Sequence, residues 1–168
     1  MEAFKLRSWQ HDDLPSLVKY GNNINIAKNL TNAFPFPYTE EAGKAFISFA
    51  IAPGEKTIFA IEVDGEAVGG IGIHPQYDIF SKNAELGYWL AEPFWGKGII
   101  SKAISKVVDH AFEHYDITRI FARPFGSNIG SQRVLEKNNF QLEARFKKTI
   151  FKNGVFEDEL VYAIRKAQ

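Results

Sequence analysis

Between Leu90 and Ile99 the chain reads Ala91-Glu92-Pro93-Phe94-Trp95-Gly96-Lys97-Gly98, a strand end leading through two glycines into a long apolar-periodic stretch. Residues without a Cβ let backbone N–H groups approach a ligand closely, and the first turn of the following helix aims further donors the same way. That suits an anion such as a phosphate or pyrophosphate. A tight turn that merely needs positive φ would use the same letters, and the glycines alone do not decide. The dinucleotide fingerprint Gly-x-Gly-x-x-Gly needs glycine where Ser101 stands, and Gly-x-x-x-x-Gly-Lys-Ser/Thr occurs nowhere. Rossmann and P-loop readings therefore fall, and Gly126-Ser127-Asn128-Ile129-Gly130-Ser131 has neither spacing.

Two histidine features could also carry chemistry. His110-Ala111-Phe112-Glu113-His114 matches His-x-x-Glu-His, a zinc-peptidase pattern. The helical projection puts His110, Glu113 and His114 on a polar face with Lys106, at the far end of the helix from the glycines, so no metal ligand is assigned. His74 ends a strand before Pro75, where it can serve as a base, a substrate contact or a structural residue.

Composition restricts the choices further. The 168 residues include no cysteine, which excludes a disulfide framework, a thiolate metal site and an acyl group parked on a cysteine sulfur. Twenty Lys+Arg balance twenty Asp+Glu, which argues against direct nucleic-acid binding or a membrane-surface role, since both need a basic excess on one face. Any anionic ligand must be held locally. No stretch approaches the roughly 20 apolar residues of a membrane span, and Met1-Glu2-Ala3-Phe4-Lys5 lacks a signal-peptide layout, so a cytoplasmic protein is expected.

The elements around these residues follow from pattern. Phe4 to Arg7 reads as a strand, and His11-Asp12-Asp13-Leu14-Pro15 as a helix start with a capping aspartate and proline in the first turn. That helix should stop near Gly21-Asn22-Asn23. Ile24 to Tyr38 is irregular, and Thr39 caps a second helix closed by Pro53-Gly54, with Ala42, Ala45, Phe46, Phe49 and Ala50 on one face. Thr57 to Val63 and Glu66 to Pro75 are strands joined at Asp64-Gly65, and Ala84 to Leu90 is another. The helix after the glycines sets Ile99/Ile100, Ala103/Ile104, Val107/Val108 and Ala111/Phe112 against Ser101, Lys102, Ser105, Lys106, Asp109 and Glu113. Ile117 to Phe125 is strand-like, Asn128 to Asn138 helical, and two long strands joined at Asn153-Gly154 follow before a frayed end at Arg165-Lys166-Ala167-Gln168. No linker or repeat divides the chain, so residues 1–168 are read as one α/β domain with a mixed sheet.

With these elements in place, the sequence resembles the GNAT superfamily of acyl-CoA-dependent N-acyltransferases, in its RimJ/RimL-type branch. The resemblance rests on Phe34-Pro35-Phe36-Pro37-Tyr38-Thr39, Ala84 to Leu90, Phe94-Trp95-Gly96-Lys97-Gly98, Asn128 to Phe140, and Asp158 to Tyr162, in that order. It implies an α+β fold with a mostly antiparallel central sheet, helices on both faces, and splayed strands forming an acyl-CoA slot. Acetyl-CoA would be the cosubstrate, with no metal. The strand Glu85 to Leu90 would pair with the pantetheine arm, and the backbone N–H of Leu90 or a neighbour would polarise the acyl carbonyl. The family pattern Gln/Arg-x-x-Gly-x-Gly/Ala falls on Trp95, Gly96, Lys97, Gly98, Ile99 and Ile100, followed by Ser101. Ile100 departs from the usual small residue, and helical periodicity turns it toward the core.

The same resemblance makes Asn128 a helix cap and pantetheine contact, and Arg133, Lys97 and Lys102 candidate partners of the cofactor phosphates, each otherwise an ordinary surface cation. Asn139 stands where glycine is usual, and asparagine also tolerates a left-handed helix end. Ser131 would hydrogen-bond the leaving sulfur, with helix capping as its structural alternative. Glu85 would act as general base, directly or through water. Phe34, Phe36, Tyr38 and His74 would line the acceptor pocket, formed by residues 22–38 and the hairpin at Asn153-Gly154. The implied activity is direct acetyl transfer to a primary amine, on a protein N-terminus such as that of a ribosomal protein or on a small molecule, by a monomer or homodimer. A non-catalytic acyl-CoA-binding module is the alternative, with Ile100 its one hint.

Overall fold

The computed structural model describes residues 4–54 and 57–167. Met1-Glu2-Ala3 of the opening stretch and Gln168 of the tail lie outside the described residues. Strands β1 (Lys5–Ser8), β2 (Thr57–Val63), β3 (Glu66–Pro75), β4 (Asn83–Leu90), β5 (Arg119–Ala122), β6 (Gln141–Lys152) and β7 (Val155–Arg165) form one mixed sheet in the order β1-β2-β3-β4-β5-β7-β6. The helices are α1 (Leu14–Gly21), α2 (Ile24–Ala27), α3 (Glu40–Ile51), α4 (Ile99–His114) and α5 (Ile129–Lys137). Packing divides the chain into two compact units, one running to residue 72 and including 88–103, the other made of 73–87 and 104 onward.

In the first unit, β1 pairs antiparallel with β2, and Asp64 and Gly65 turn the β2–β3 hairpin with φ of 50° and 84°. The expected capping aspartate has another duty. Asp13 sits in a 3-10 turn, His11–Asp13, and its carboxylate accepts the Gln10 N–H and two Arg7 guanidinium N–H groups, each at 2.8 Å. Residues 24–38, expected to be irregular, contain α2, because the Asn23 side chain accepts the Asn25 N–H at 2.8 Å and caps a single turn.

Thr39 caps α3 as its sequence requires, accepting the Ala42 N–H at 3.2 Å. The buried face is nevertheless rotated from the expected one, with Gly43 and Ile47 buried and Ala45 and Phe49 exposed. Gly43 explains this, since a Cβ there would lie 2.7 Å from Leu14 Cδ1, so the missing side chain lets α3 approach α1 closely. Trp9, Leu17, Ile26, Tyr38, Ile47, Ala60, Ala67 and Trp89 form the core of this unit.

The second unit holds the parallel pair. β4 runs beside β5 over Asn83–Glu85 against Arg119–Phe121, and a parallel pair requires a crossover connection, whose helix here is α4. Along α4, Ile104, Val107, Val108 and Ala111 are buried and Ser105, Lys106, Asp109 and Glu113 exposed, as the periodicity demands. Ile120 and Ala122 of β5 are buried, as is Leu135 of α5. β7 pairs antiparallel with both β5 and β6, and Asn153 and Gly154 turn the β6–β7 hairpin at φ 52° and 77°. The tail does not fray at Arg165 or Lys166. β7 continues to Arg165, and Lys166 donates its backbone N–H to Thr118 and its ammonium to the Phe112 carbonyl, at 2.9 and 2.7 Å.

Candidate active site

In the first unit, the glycine loop follows directly from the end of β4. Leu90 is buried, and its carbonyl accepts the Trp95 indole N–H at 2.7 Å, which ties the loop back onto the strand end. The Ala91 N–H is committed to the Val68 carbonyl at 2.8 Å. That removes Ala91 from the backbone donors able to polarise an acyl carbonyl. A 3-10 turn, Glu92–Phe94, precedes the glycines, and the Glu92 carboxylate accepts the Asn23 side-chain amide at 2.7 Å and that of Asn25 at 3.1 Å. These hydrogen bonds, Asn23's first, hold Glu92 below the usual carboxylate range.

Gly96 and Gly98 take φ of 73° and 75°, and a Cβ built on either would meet nothing within 4 Å. The glycines are thus required by conformation, and the space over them is open to a ligand. Gly98 accepts the Lys102 N–H at 3.2 Å and brings no capping side chain to the first turn of the 16-residue α4. The Lys97 ammonium lies 5.3 Å from the Phe94 ring centroid, while Lys102 is exposed. Ile99 is buried and Ile100 half-buried at the edge of the same helix face, so Ile100 turns partly toward the core. Of the three rings expected to line a pocket, Tyr38 belongs to the core, at 4% exposure, where burial pushes its hydroxyl up to about 12. Phe34 is half-buried, 4.8 Å from Tyr38 and 5.4 Å from Trp89 between ring centroids, and Phe36 is exposed.

The second unit carries the other candidate residues. The β4–β5 register ends at Glu85 opposite Phe121, although β4 runs on through Leu90. Glu85 is gripped by Arg123, just beyond β5, with Nε to Oε1 at 2.8 Å and Nη2 to Oε2 at 3.1 Å. Arg123 Nη1 also lies 3.6 Å from Glu159 Oε1. The guanidinium is held above its ordinary value, first by the hydrogen bond to Glu85, with burial opposing and both carboxylate charges adding. His74 is half-buried on β3, its Nε2 lying 4.0 Å from where a Gly87 Cβ would be, which places it beside β4 two residues beyond Glu85.

Asn128 caps α5, its Oδ1 accepting the Ser131 N–H at 3.2 Å. The capping duty therefore falls on Asn128, and half-buried Ser131 sits in the first turn that it closes. Gln132 donates to the Phe125 and Gly126 carbonyls at 3.2 and 3.0 Å, fixing the approach to this turn. Arg133 is exposed. At the other end of α5, Asn139 takes φ 63° and the Phe140 N–H returns to the Leu135 carbonyl at 3.1 Å, the left-handed stop for which asparagine substitutes. His110 and His114, on α4, stack with centroids 4.1 Å apart.

Sequence reasoning missed Arg123 and Glu159. The alternation Arg119, Phe121, Arg123 against buried Ile120 and Ala122 was the available signal for a polar sheet face at this point.

Residues 4–141 match the family model described as the acetyltransferase (GNAT) domain, and the chain belongs to that family. It is 33% identical over 105 residues to YdaF of Bacillus subtilis (strain 168), which is named as a ribosomal N-acetyltransferase. That alignment covers 62% of this chain and 57% of YdaF. It is 32% identical over 110 residues to the ribosomal-protein-serine acetyltransferase of Escherichia coli (strain K12), covering 66% of this chain and 61% of that protein. The chain thus spans between half and two thirds of the length of these two relatives. Among solved structures, RimL, a ribosomal L7/L12 alpha-N-protein acetyltransferase in complex with coenzyme A, superposes with a TM-score of 0.86 at 24% identity. That match covers 98% of this chain and 95% of RimL, and it shows the shared fold.

Proposed function

We propose that residues 1–168 are a single catalytic domain, an acetyl-CoA-dependent N-acetyltransferase of the cytoplasm that transfers an acetyl group directly to a primary amine. The observation that carries this is the glycine loop at the start of α4, open above both glycines, following a β4 strand whose pairing with β5 stops at Glu85. Backbone N–H groups of Gly96, Gly98 and the first turn of α4 suit the cofactor's pyrophosphate, with Lys97 and Lys102 as local cations. A neutral chain with no cysteine fits an anion held by such donors and an acyl group that never rests on a protein thiol.

Acetyl-CoA supplies an activated acyl group with a tolerable thiolate leaving group. The chain's part is then to hold, to deprotonate and to donate. Glu85 receives the proton of the incoming ammonium, directly or through one water, and the Ser131 hydroxyl donates a hydrogen bond to the departing sulfur. Both relatives carry names that refer to the ribosome or its proteins, which supports assaying ribosomal-protein N-termini first among acceptors. The test is release of coenzyme A thiol from acetyl-CoA with a panel of ribosomal-protein N-terminal peptides, polyamines and amino-acid derivatives. Amine-dependent release is expected. Tight binding of acetyl-CoA with no release under any amine would overturn the reading in favour of a binding module.

A further inference from the structure

Glu85, Arg123 and Glu159 form a cluster in which one guanidinium faces two carboxylates. Arg123 spends two donors on Glu85, at 2.8 and 3.1 Å, and reaches Glu159 only at 3.6 Å. The side chains of Glu85 and Glu159 are about three quarters buried, at 27% and 23% exposure, while Arg123 is half open at 51%. Neighbouring charges are already committed. Arg119 binds Glu143 at 2.6 Å and Asn83 at 2.9 Å, and Arg165 also binds Glu143. Asp158 is taken by Arg145 at 2.8 Å and by the Lys148 N–H at 3.0 Å, and from β3 the neighbouring titratable side chain is His74. Among the described residues, the cluster sets two carboxylates against one guanidinium, with the Thr149 hydroxyl donating to Glu159 at 3.4 Å.

A half-exposed pair of this kind adds little to stability. Its geometry does more. A planar fork contacting both oxygens fixes the plane of the carboxylate and occupies one lone pair on each, leaving the others to accept from a substrate ammonium or a water.

We infer that Arg123 is a positioning residue, which orients the Glu85 carboxylate so that the cluster receives the acceptor as an ammonium ion and Glu85 takes its proton. This rests on the acetyltransferase reading above and deepens it. One N–H bond of the ammonium breaks and its proton passes to a Glu85 oxygen, freeing the nitrogen lone pair. The C–N bond forms at the thioester carbonyl as the C–S bond breaks. The nitrogen's second proton leaves with the sulfur as thiol, and Glu85 returns its proton to solvent.

The experiment is a kinetic cycle on the full chain with the best amine from the panel, comparing Arg123→Ala, Arg123→Lys, Glu85→Gln and the Glu85→Gln/Arg123→Ala double variant. Loss of orientation should lower kcat of Arg123→Ala about tenfold or more, with the acetyl-CoA KM unchanged within about twofold. Arg123→Lys keeps the charge but not the fork, and should recover only part of the loss. The decisive readout is the double variant, whose kcat should equal that of Glu85→Gln alone, because a residue acting through Glu85 has nothing left to position. Millimolar guanidinium should restore part of the Arg123→Ala rate and none of the double variant's. Additive losses in the double variant, or Arg123→Ala at the wild-type rate, would overturn the inference and leave the acetyltransferase reading standing. A wild-type chain inactive with every amine would instead remove that reading and this inference with it.

Discussion

Glu85 and Ser131 stand on different local foundations, and that separates what their substitutions should do. Glu85 is held by Arg123 and lies where the β4–β5 register ends. A base is needed only while the acceptor is an ammonium, and an N-terminal amine loses its proton near pH 8 in the ordinary case. Glu85→Gln should therefore depress kcat/KM most below about pH 7, with the deficit shrinking toward pH 9. A deficit constant across that range would remove Glu85 from proton transfer. Ser131 is supported by the Asn128 cap, which uses the Ser131 backbone and leaves the cap intact when the side chain is shortened. Ser131→Ala should lower kcat about tenfold while acetyl-CoA affinity, measured by calorimetry, moves less than about threefold. Equal loss in both would make Ser131 a binding residue.

Among the elements, α4 and its glycine loop give the sharpest test. Gly98 is held at φ 75° in open space, so a methyl group there meets no neighbour and acts through the backbone alone. Gly98→Ala should cost about 1–2 kcal/mol if the loop keeps its shape, or turn the loop N–H groups aside if it does not. Either way acetyl-CoA binding should weaken at least about fivefold, and an unchanged affinity would take the cofactor away from this loop. The loop, the α4 face and the left-handed Asn139 were legible in the sequence because each is set by residues within a few turns of one another. The α3 face was misread, since what rotates it is the close approach of Leu14 to Gly43, a contact between helices that no single-helix periodicity contains. Arg123 was missed for the same reason at longer range. It meets Glu85 across 38 residues, through a parallel pairing that exists only once α4 has crossed over.

Over the whole molecule, stability is a small difference between large terms, roughly 5–15 kcal/mol for a domain, so one buried charge can matter to all of it. Asp13, at 6% exposure, is such a charge in the first unit, tied to Arg7, which also bonds Glu62 across the β1–β2 pair. Burial alone would raise the Asp13 carboxyl, but the Arg7 hydrogen bonds, the Gln10 N–H and the Arg7 charge outweigh it and hold the group below its ordinary value. A carboxyl whose value is lower in the folded state contributes stability that is complete above its unfolded value, near 4, and is lost as pH falls through the folded value. Asp13→Asn keeps the side-chain shape and removes that charge. At pH 7 it should cost about 2 kcal/mol in denaturant unfolding, since Arg7 retains Glu62 as a partner. As pH falls through the folded value the two proteins should converge, because wild-type Asp13 is then giving up the same interaction. A gap between the denaturation midpoints that stays constant from pH 7 to pH 2 would show that Asp13 acts through packing and hydrogen-bond geometry, with its charge contributing nothing to the fold.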